Sequence, residues 1–298
     1  MNSLEIEAFM MIMETGSLSM AANKLFVSQS TITNRLISLE NEIGEPLILR
    51  KKGLKKIELT HKGIEFVEFA NRYISILKDI DLWKNNISPN IIKISMPHSI
   101  NSYLLKEFIR GYSCKHNTKF SISSHWNHII YNMLDNHQLD IGLVSRPFAS
   151  KNLITKHLFS EPMVLIYDKR FSVFNENTTL NDLKLENEVF LDWGPDFDLW
   201  HNENFPSIIF PKIKVDSANL IEFFLQSNNA WSITPECVAY ELKDLSQDSI
   251  SIINLENLPI RKIFLVKQLN SISLSKKVME NFIEELTHFL QNSPHIIF

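Results

Sequence analysis

Apolar residues recur at helical spacing in three short segments at the start of the chain. Leu4, Ala8, Phe9 and Ile12 mark the inner face of a helix over 4–14, and Gly16 ends it. Leu18, Ala21, Ala22 and Leu25 mark a second, shorter helix over 18–25. Ser28 stands where an N-cap belongs, ahead of a third helix running to about Ile43 and closed by Gly44. Its apolar stripe is Ile32, Leu36, Leu39 and Ile43. The opposite face carries Ser30, Thr33, Asn34, Ile37 and Ser38, flanked by Gln29 and Arg35. Short polar donors on a helix that follows a tight turn suit base edges in a major groove, although a merely solvated face would carry similar residues. Residues 46–59 then predict two short extended stretches around Lys51-Lys52-Gly53. From the cap Thr60, a long helix carries Phe66, Ala70, Tyr73, Leu77 and Ile80 at spacings of four and three, the seam of a coiled coil. A helix packed on its own domain would show the same stripe. The unbroken length favours a dimer helix, and residues 85–90 read as a hinge.

Beyond residue 90 the pattern changes to short apolar runs alternating with amphipathic ones. Strands are expected over 91–96, 120–123 and 139–144, with helices over 103–112 and 127–136 between them. That is a βαβ series, implying a parallel sheet with helices on both faces. A second run begins at 163–168 and continues with strands near 188–191, 213–215, 231–233 and 263–267. An amphipathic helix over 274–291 closes the chain. This region has room for two similar α/β subdomains with a cleft between them. The expected fold is α+β and multidomain, in three parts: 1–59, 60–87 and 88–298.

Charge and composition narrow the functions available. Of 298 residues, 44% are hydrophobic and 21% charged, which excludes global disorder. The net charge of −4 makes the whole molecule no polyanion binder, so any nucleic-acid surface must be a local patch. Arg50, Lys51, Lys52, Lys55 and Lys56 supply one, on the hairpin expected to lie against phosphates. The apolar runs are too short for a membrane span, and the first residues show no secretory signal, so a cytoplasmic location is expected. Phosphate-cradling loops, nucleophile elbows and HExxH pairs are lacking, so neither an enzyme nor a cofactor is expected. His125 and His128 form an HxxH pair, but no converging cluster supports a metal. Cys114 and Cys237 read as small buried hydrophobes, and an oxidative signal through them is an alternative.

Ligands of such α/β domains bind at the carboxyl ends of strands. The first strand leads into His98, Ser99, Ile100 and Asn101, where free N–H groups at a helix start favour a carboxylate or phosphate, beside the plainer reading of an N-cap. Other strand ends bring Ser145 and Arg146, Trp193, Asn219 and Thr234. Trp126 and Trp231 lie near two more, so an aromatic-lined pocket is expected.

The pieces GSLSMAA, LFVSQS, LENEIGEPL and LTHKG, over residues 16–63, resemble the LysR-type transcriptional regulators in order and spacing. The resemblance extends over the whole chain, more loosely through LDIGLV (139–144) and ITPECVA (233–239). It implies a winged helix-turn-helix over 1–59, a dimerisation helix over 60–87 and a periplasmic-binding-protein-like effector domain over 88–298. It also implies sequence-specific binding to promoter or operator DNA, a small-molecule effector, and a homodimer or homotetramer, with RNA polymerase as a candidate partner. Carried over by position, Ser28, Gln29, Ser30, Thr33, Asn34 and Arg35 fall on the recognition helix, and the basic run on the wing. Three departures stand out. Ser30 replaces a frequent proline, Phe26 occupies the turn, and Asn228-Asn229-Ala230-Trp231 replaces a glycine-rich stretch. If Phe26 has a positive φ, its bulky ring makes that conformation costly. A solute-binding receptor or an α/β enzyme remains the other alternative.

Overall fold

The structure, a computed structural model, describes residues 1–49, 57–85, 90–205, 209–269 and 276–298, with backbone alone at 79, 82 and 83. It divides into an N-terminal unit, Met1–Ser88 with Asn136–Gln138, and a C-terminal unit, Pro89–Asp135 with Leu139–Phe298.

In the N-terminal unit, α1 (Ser3–Thr15), α2 (Leu18–Lys24) and α3 (Gln29–Ile43) pack around Ile6, Phe9, Ile12, Ala21, Ile32, Leu36 and Leu39. Local chemistry sets each boundary. Asn2 and Glu5 form a reciprocal capping box at the start of α1, and Gly16 ends it at φ 66. The Ser28 hydroxyl accepts the Thr31 N–H at 3.1 Å, and Gly44 ends α3 at φ 86. Leu4, expected inside, is 50% exposed. The stripe through Ala8 and Ile12 extends back to Glu5, which is buried because the Ser38 hydroxyl donates to its carboxylate at 2.7 Å.

The strands β1 (Ile48–Leu49) and β2 (Glu58–Leu59) pair antiparallel, with Ile48 opposite Leu59. The buried carboxylate of Glu40 on α3 accepts the N–H groups of Leu47 and Ile48 at 2.9 and 3.3 Å, fixing where the hairpin leaves the helix. Helix α4 (His61–Lys84) begins at Thr60, whose hydroxyl accepts the Gly63 N–H at 2.9 Å. The expected dimer seam is divided. Phe66 and Ala70 are buried in their own unit, Phe66 edge-on to Phe9 at 5.3 Å, whereas Phe69, Ile76 and Ile80 are exposed. The first turns of α4 therefore serve the N-terminal core, and an apolar stripe suited to a partner lies on another face.

In the C-terminal unit, β3 (Ile91–Ser95) leads through a π-helical segment (Ile100–Leu105) into α5 (Lys106–His116). Then follow β4 (Lys119–Ser123), α6 (Asn127–Asp135), β5 (Ile141–Val144) and β6 (Leu153–Asp168). After these come β7 (Val189–Leu191), α7 (Pro195–Asn204), β8 (Ile213–Val215), α8 (Asn219–Leu225), β9 (Ser232–Pro235) and α9 (Glu236–Leu245). The order closes with β10 (Ile250–Ile253), β11 (Ile260–Gln268) and α10 (Lys276–Gln291).

The expected all-parallel sheet needs correction. β3 pairs parallel with β4 and β5, but β6, β9, β10 and β11 join antiparallel, in the order β10-β6-β11-β5-β3-β4 with β9 also on β6. The cause is β6, a 16-residue strand that starts ten residues before the expected one. It pairs with β11 along its first part and with β9 and β10 along its second. One strand thus belongs to both subdomains. The first subdomain centres on Ile92, Ile94, Leu143, Phe159 and Phe282. The second centres on Leu165, Trp231, Ile233 and Val238, with the parallel pair β7–β8 beside it.

Candidate functional site

The exposed face of α3 is the first candidate surface. Ser28, Gln29, Ser30 and Asn34 are exposed, and Thr33 and Arg35 are half-buried. Several of these side chains are already oriented. The Ser19 hydroxyl donates to Gln29 Oε1 at 3.1 Å, so α2 holds the glutamine in place. Thr33 returns its hydroxyl to the Gln29 carbonyl at 2.9 Å, and the Ser28 hydroxyl lies 2.7 Å from that of Ser30. In the turn before Ser28, Phe26 adopts φ 54 with its ring 94% exposed. A positive φ is strained for a bulky residue, and such strain gathers at functional sites. The hairpin residues Arg50, Lys51, Lys52, Lys55 and Lys56 lie outside the described residues.

The second candidate is a cavity of about 550 Å³ within the C-terminal unit, where the two subdomains face each other. It brings together His98, Ser99, Trp126, Ser145, Arg146 and Trp193 of the residues expected there. Asn127 orders one wall: its carboxamide accepts the Ser145 N–H at 3.0 Å and donates to the Ser145 hydroxyl at 3.2 Å. Arg146 lies over the Phe148 ring, 5.6 Å from its centroid. On the other wall Asp192 accepts the Gly194 N–H at 2.8 Å. Gly194 has φ 117, and a Cβ there would come within 2.9 Å of Ser145 Oγ, so the walls approach closely at this glycine.

Five expected residues do not reach the wall of this cavity. Ile100 and Trp231 are fully buried in the cores of the first and second subdomains, and the Trp231 indole donates to the Lys184 carbonyl at 2.9 Å. Thr234 lies in β9, fully buried, with its hydroxyl unpartnered. Asn101 falls inside the π-helical segment, just past the lining residue Ser99, and Asn219 lies just beyond the lining residues Ser217 and Ala218. The aromatic lining therefore comes from Trp126, which is 63% exposed, from the buried Trp193 and from Phe148.

Sequence reasoning missed the buried polar chain behind the cavity. Arg261 on β11 donates through Nη1 to Ser99 Oγ at 3.0 Å and to Glu161 Oε1 at 2.8 Å. Glu161 on β6 accepts the Cys237 thiol at 3.0 Å through its other oxygen, and Arg261 lies 5.6 Å from the Trp193 ring centroid. Glu161 is fully buried and Arg261 nearly so. Each is a charged residue on a strand, which burial tolerates only with a partner, but neighbouring polar residues such as Ser160 and Lys262 mask the pattern. Asp198 and Asp216, also on the cavity wall, carried no comparable sequence signal. Burial pushes the Asp198 carboxyl above the ordinary carboxylate range, and the nearby Asp192 adds to the effect. Among the described residues no group of three His, Cys, Asp or Glu side chains could hold a metal ion, and no helix is long and apolar enough to cross a membrane.

A hairpin-bearing helix-turn-helix unit followed by a two-subdomain α/β unit with a cleft defines the class. The family model described as "Bacterial regulatory helix-turn-helix protein, lysR family" matches residues 4–64, and the "LysR substrate binding domain" matches residues 89–290. The chain belongs to the LysR family of bacterial regulatory proteins. It is 27% identical over 182 residues to the HTH-type transcriptional regulator CzcR of Bacillus subtilis (strain 168), covering 59% of this chain and 61% of CzcR. It is also 27% identical over 202 residues to a hydrogen peroxide-inducible genes activator of Pectobacterium carotovorum subsp. carotovorum, covering 65% of each. These matches span less than two-thirds of either relative's length. Two solved structures share the fold. Full-length CbnR in complex with its target DNA has 19% identity and a TM-score of 0.69, covering 97% of this chain and 100% of CbnR. LysG from Corynebacterium glutamicum with bound effector Arg has 15% identity and a TM-score of 0.62, covering 95% and 97%.

Proposed function

We propose that this chain is a sequence-specific DNA-binding transcription regulator whose activity responds to a small molecule in the cleft of its C-terminal unit. The observation that carries this reading is the pre-ordered polar face of α3, capped at Ser28, with Gln29 held outward by Ser19. Gln29 and Arg35 would read base edges, Ser28, Ser30, Thr33 and Asn34 would add short contacts, and Arg50 to Lys56 would lie on phosphates. The functional parts are then 1–59 for DNA, 60–87 for dimerisation and 88–298 for the effector. The exposed stripe Phe69, Ile76 and Ile80 on α4 fits a second copy, in a homodimer or homotetramer. Effector binding would favour one cleft geometry and so shift subunit arrangement, with RNA polymerase the downstream partner in the cytoplasm. The protein acts by binding; it is not an enzyme.

The test is fluorescence anisotropy on the duplex DNA upstream of the protein's own gene, across a salt series. Affinity should fall steeply and linearly on logarithmic axes as counterion release weakens, and Lys51→Ala/Lys52→Ala should weaken binding to every duplex and flatten the slope. Absence of binding to any duplex at low salt would remove the DNA-binding reading.

An oxidative signal through the cysteines finds no support in their surroundings. Cys237 is buried, and that burial, together with the carboxylate of Glu161, pushes its thiol well above the ordinary range, so the reactive thiolate is suppressed at neutral pH. Cys114 is exposed on α5. A thiol reagent at pH 7.5 should label Cys114 promptly and Cys237 only on unfolding, and peroxide should leave DNA affinity unchanged. Prompt labelling of both would restore the redox alternative.

A further inference from the structure

The two walls of the cleft carry opposite charge. Asp192, Asp198 and Asp216 line the side formed by β7, α7 and β8, and Arg146 faces them from the side formed by the first subdomain. Among the described residues no ion pair joins these groups, and the Arg146 guanidinium rests on Phe148. Three carboxylates on one wall, two of them half-buried, give that side of the cavity a negative field, offset in part by Lys214 near Asp198 and by Arg146 across the cleft.

The floor of the same cavity carries a separate anomaly. Arg261 lines it, is 5% exposed, and keeps its Nε without a hydrogen-bond partner, one of three such buried side-chain atoms among the described residues. A buried unpaired donor is costly, and natural structures supply one with a ligand or an ordered water. Its charge is already matched by Glu161, so the donor does not call for a second full anion of the protein's own. A ligand's carboxylate would meet the remaining guanidinium hydrogens and the Ser99 hydroxyl.

We propose that the cleft takes a small zwitterion of the amino-acid type, its carboxylate toward Arg261 and Ser99 and its ammonium among Asp192, Asp198 and Asp216. This rests on the reading of the cleft as the effector site and specifies its ligand. Dicarboxylates fit poorly, because one of their two ends would face the three aspartates, on a wall to which β7, α7 and β8 add no cationic lining residue. Diamines satisfy the aspartates but leave Arg261 Nε unpaired. The close approach of Gly194 to Ser145 and a cavity of about 550 Å³ suit a compact molecule and not an extended peptide. Binding between the walls would also draw the two subdomains together, since each end of the ligand is held by a different one.

The experiment is calorimetric titration of the full-length protein with each common amino acid, with glutarate, which lacks the amine, and with cadaverine, which lacks the carboxylate. At least one amino acid should bind, and both probes, each carrying charge of one sign only, should fail. Asp192→Asn and Asp216→Asn, which keep side-chain shape, should each weaken that binding about tenfold or more, with the melting temperature of the unliganded protein unchanged. Glutarate or cadaverine binding tighter than every amino acid would overturn the zwitterion, as would an amino-acid panel without binding. The outcome also separates this assignment from the broader reading. Glutarate binding abolished by Arg146→Gln leaves the cleft as the effector site with a different ligand class. Binding by any probe that is indifferent to substitutions on both walls removes the cleft itself.

Discussion

Replacing Arg261 by methionine is expected to destabilise the C-terminal unit by about 3–5 kcal/mol, the range for removing one partner of a buried ion pair. The reason lies in what remains. Glu161 is fully buried, and Arg261 is the cation in contact with it; without that cation the Cys237 thiol is its one remaining side-chain hydrogen-bond donor among the described residues. Ser99 loses its donor as well, at the mouth of the π-helical segment. Joint replacement, Arg261→Met with Glu161→Met, should recover most of the loss, because two apolar side chains of similar volume leave no stranded charge. Urea denaturation followed by tryptophan fluorescence measures both, and Trp193 beside the guanidinium makes the probe local. A single variant within about 1 kcal/mol of the parent would mean that water reaches Glu161 and that the pair does not behave as a buried one.

The second large effect is expected at Gly63. A Cβ there would lie 2.1 Å from the Leu47 carbonyl oxygen and 2.9 Å from Leu59 Cδ2. The first of these is backbone and cannot swing aside. It is also committed, since the Leu47 carbonyl accepts the Thr60 N–H at 3.0 Å. Helix α4 therefore starts in direct contact with the base of the hairpin, and only glycine permits it. Gly63→Ala should destabilise the N-terminal unit by about 1–3 kcal/mol through overpacking, and should lower DNA affinity by displacing the strands that flank the basic run in sequence. Gly111→Ala on α5 is the control. Nothing lies within 4 Å of that Cβ, and alanine in a helix interior should add about 0.5–1 kcal/mol. If Gly63→Ala matched the control in stability and DNA binding, the close approach would not be real.

How much of this was legible in sequence differs between the two units, for a physical reason. In the N-terminal unit, local rules decide the outcome. Ser28 caps α3, Gly16 and Gly44 end their helices with positive φ, and the stripe Ile32, Leu36, Leu39 goes inward as its period requires. The positive φ at Phe26 is likewise local. What escaped there is tertiary: Glu5 displaces Leu4 from the interior because Ser38, 33 residues away, supplies its hydrogen bond. The seam on α4 reads as one stripe in sequence, although Phe66, Ala70 and Tyr73 pack on the N-terminal core while Phe69, Ile76 and Ile80 are exposed.

In the C-terminal unit the alternation of strands and helices was readable, but strand direction was not. The strand β6 looks from Met163 onward like any buried run, and its polar first part, Thr155 to His157, hides its true length. With it went the antiparallel half of the sheet. Strand ends pointed to part of the cavity lining, since His98, Ser99, Ser145, Arg146 and Trp193 all sit where a strand gives way to a loop or helix. Trp231 obeyed the same rule in sequence yet turned into the core, where its indole N–H found Lys184. A tryptophan near a strand end has two apolar environments to choose from, and pattern alone does not choose. The Arg261–Glu161–Cys237 chain joins residues 76 to 100 positions apart and has no local signature at all.

The measurement that bears most directly on the central claim is the ratio of affinities for a footprinted operator and for a scrambled duplex of equal length, for the parent and for Gln29→Ala. If the pre-ordered face of α3 reads bases, the variant should lose about 1–3 kcal/mol of that discrimination while its binding to scrambled DNA barely changes. An unchanged ratio, with both affinities intact, would contradict the account and place sequence recognition elsewhere on the protein.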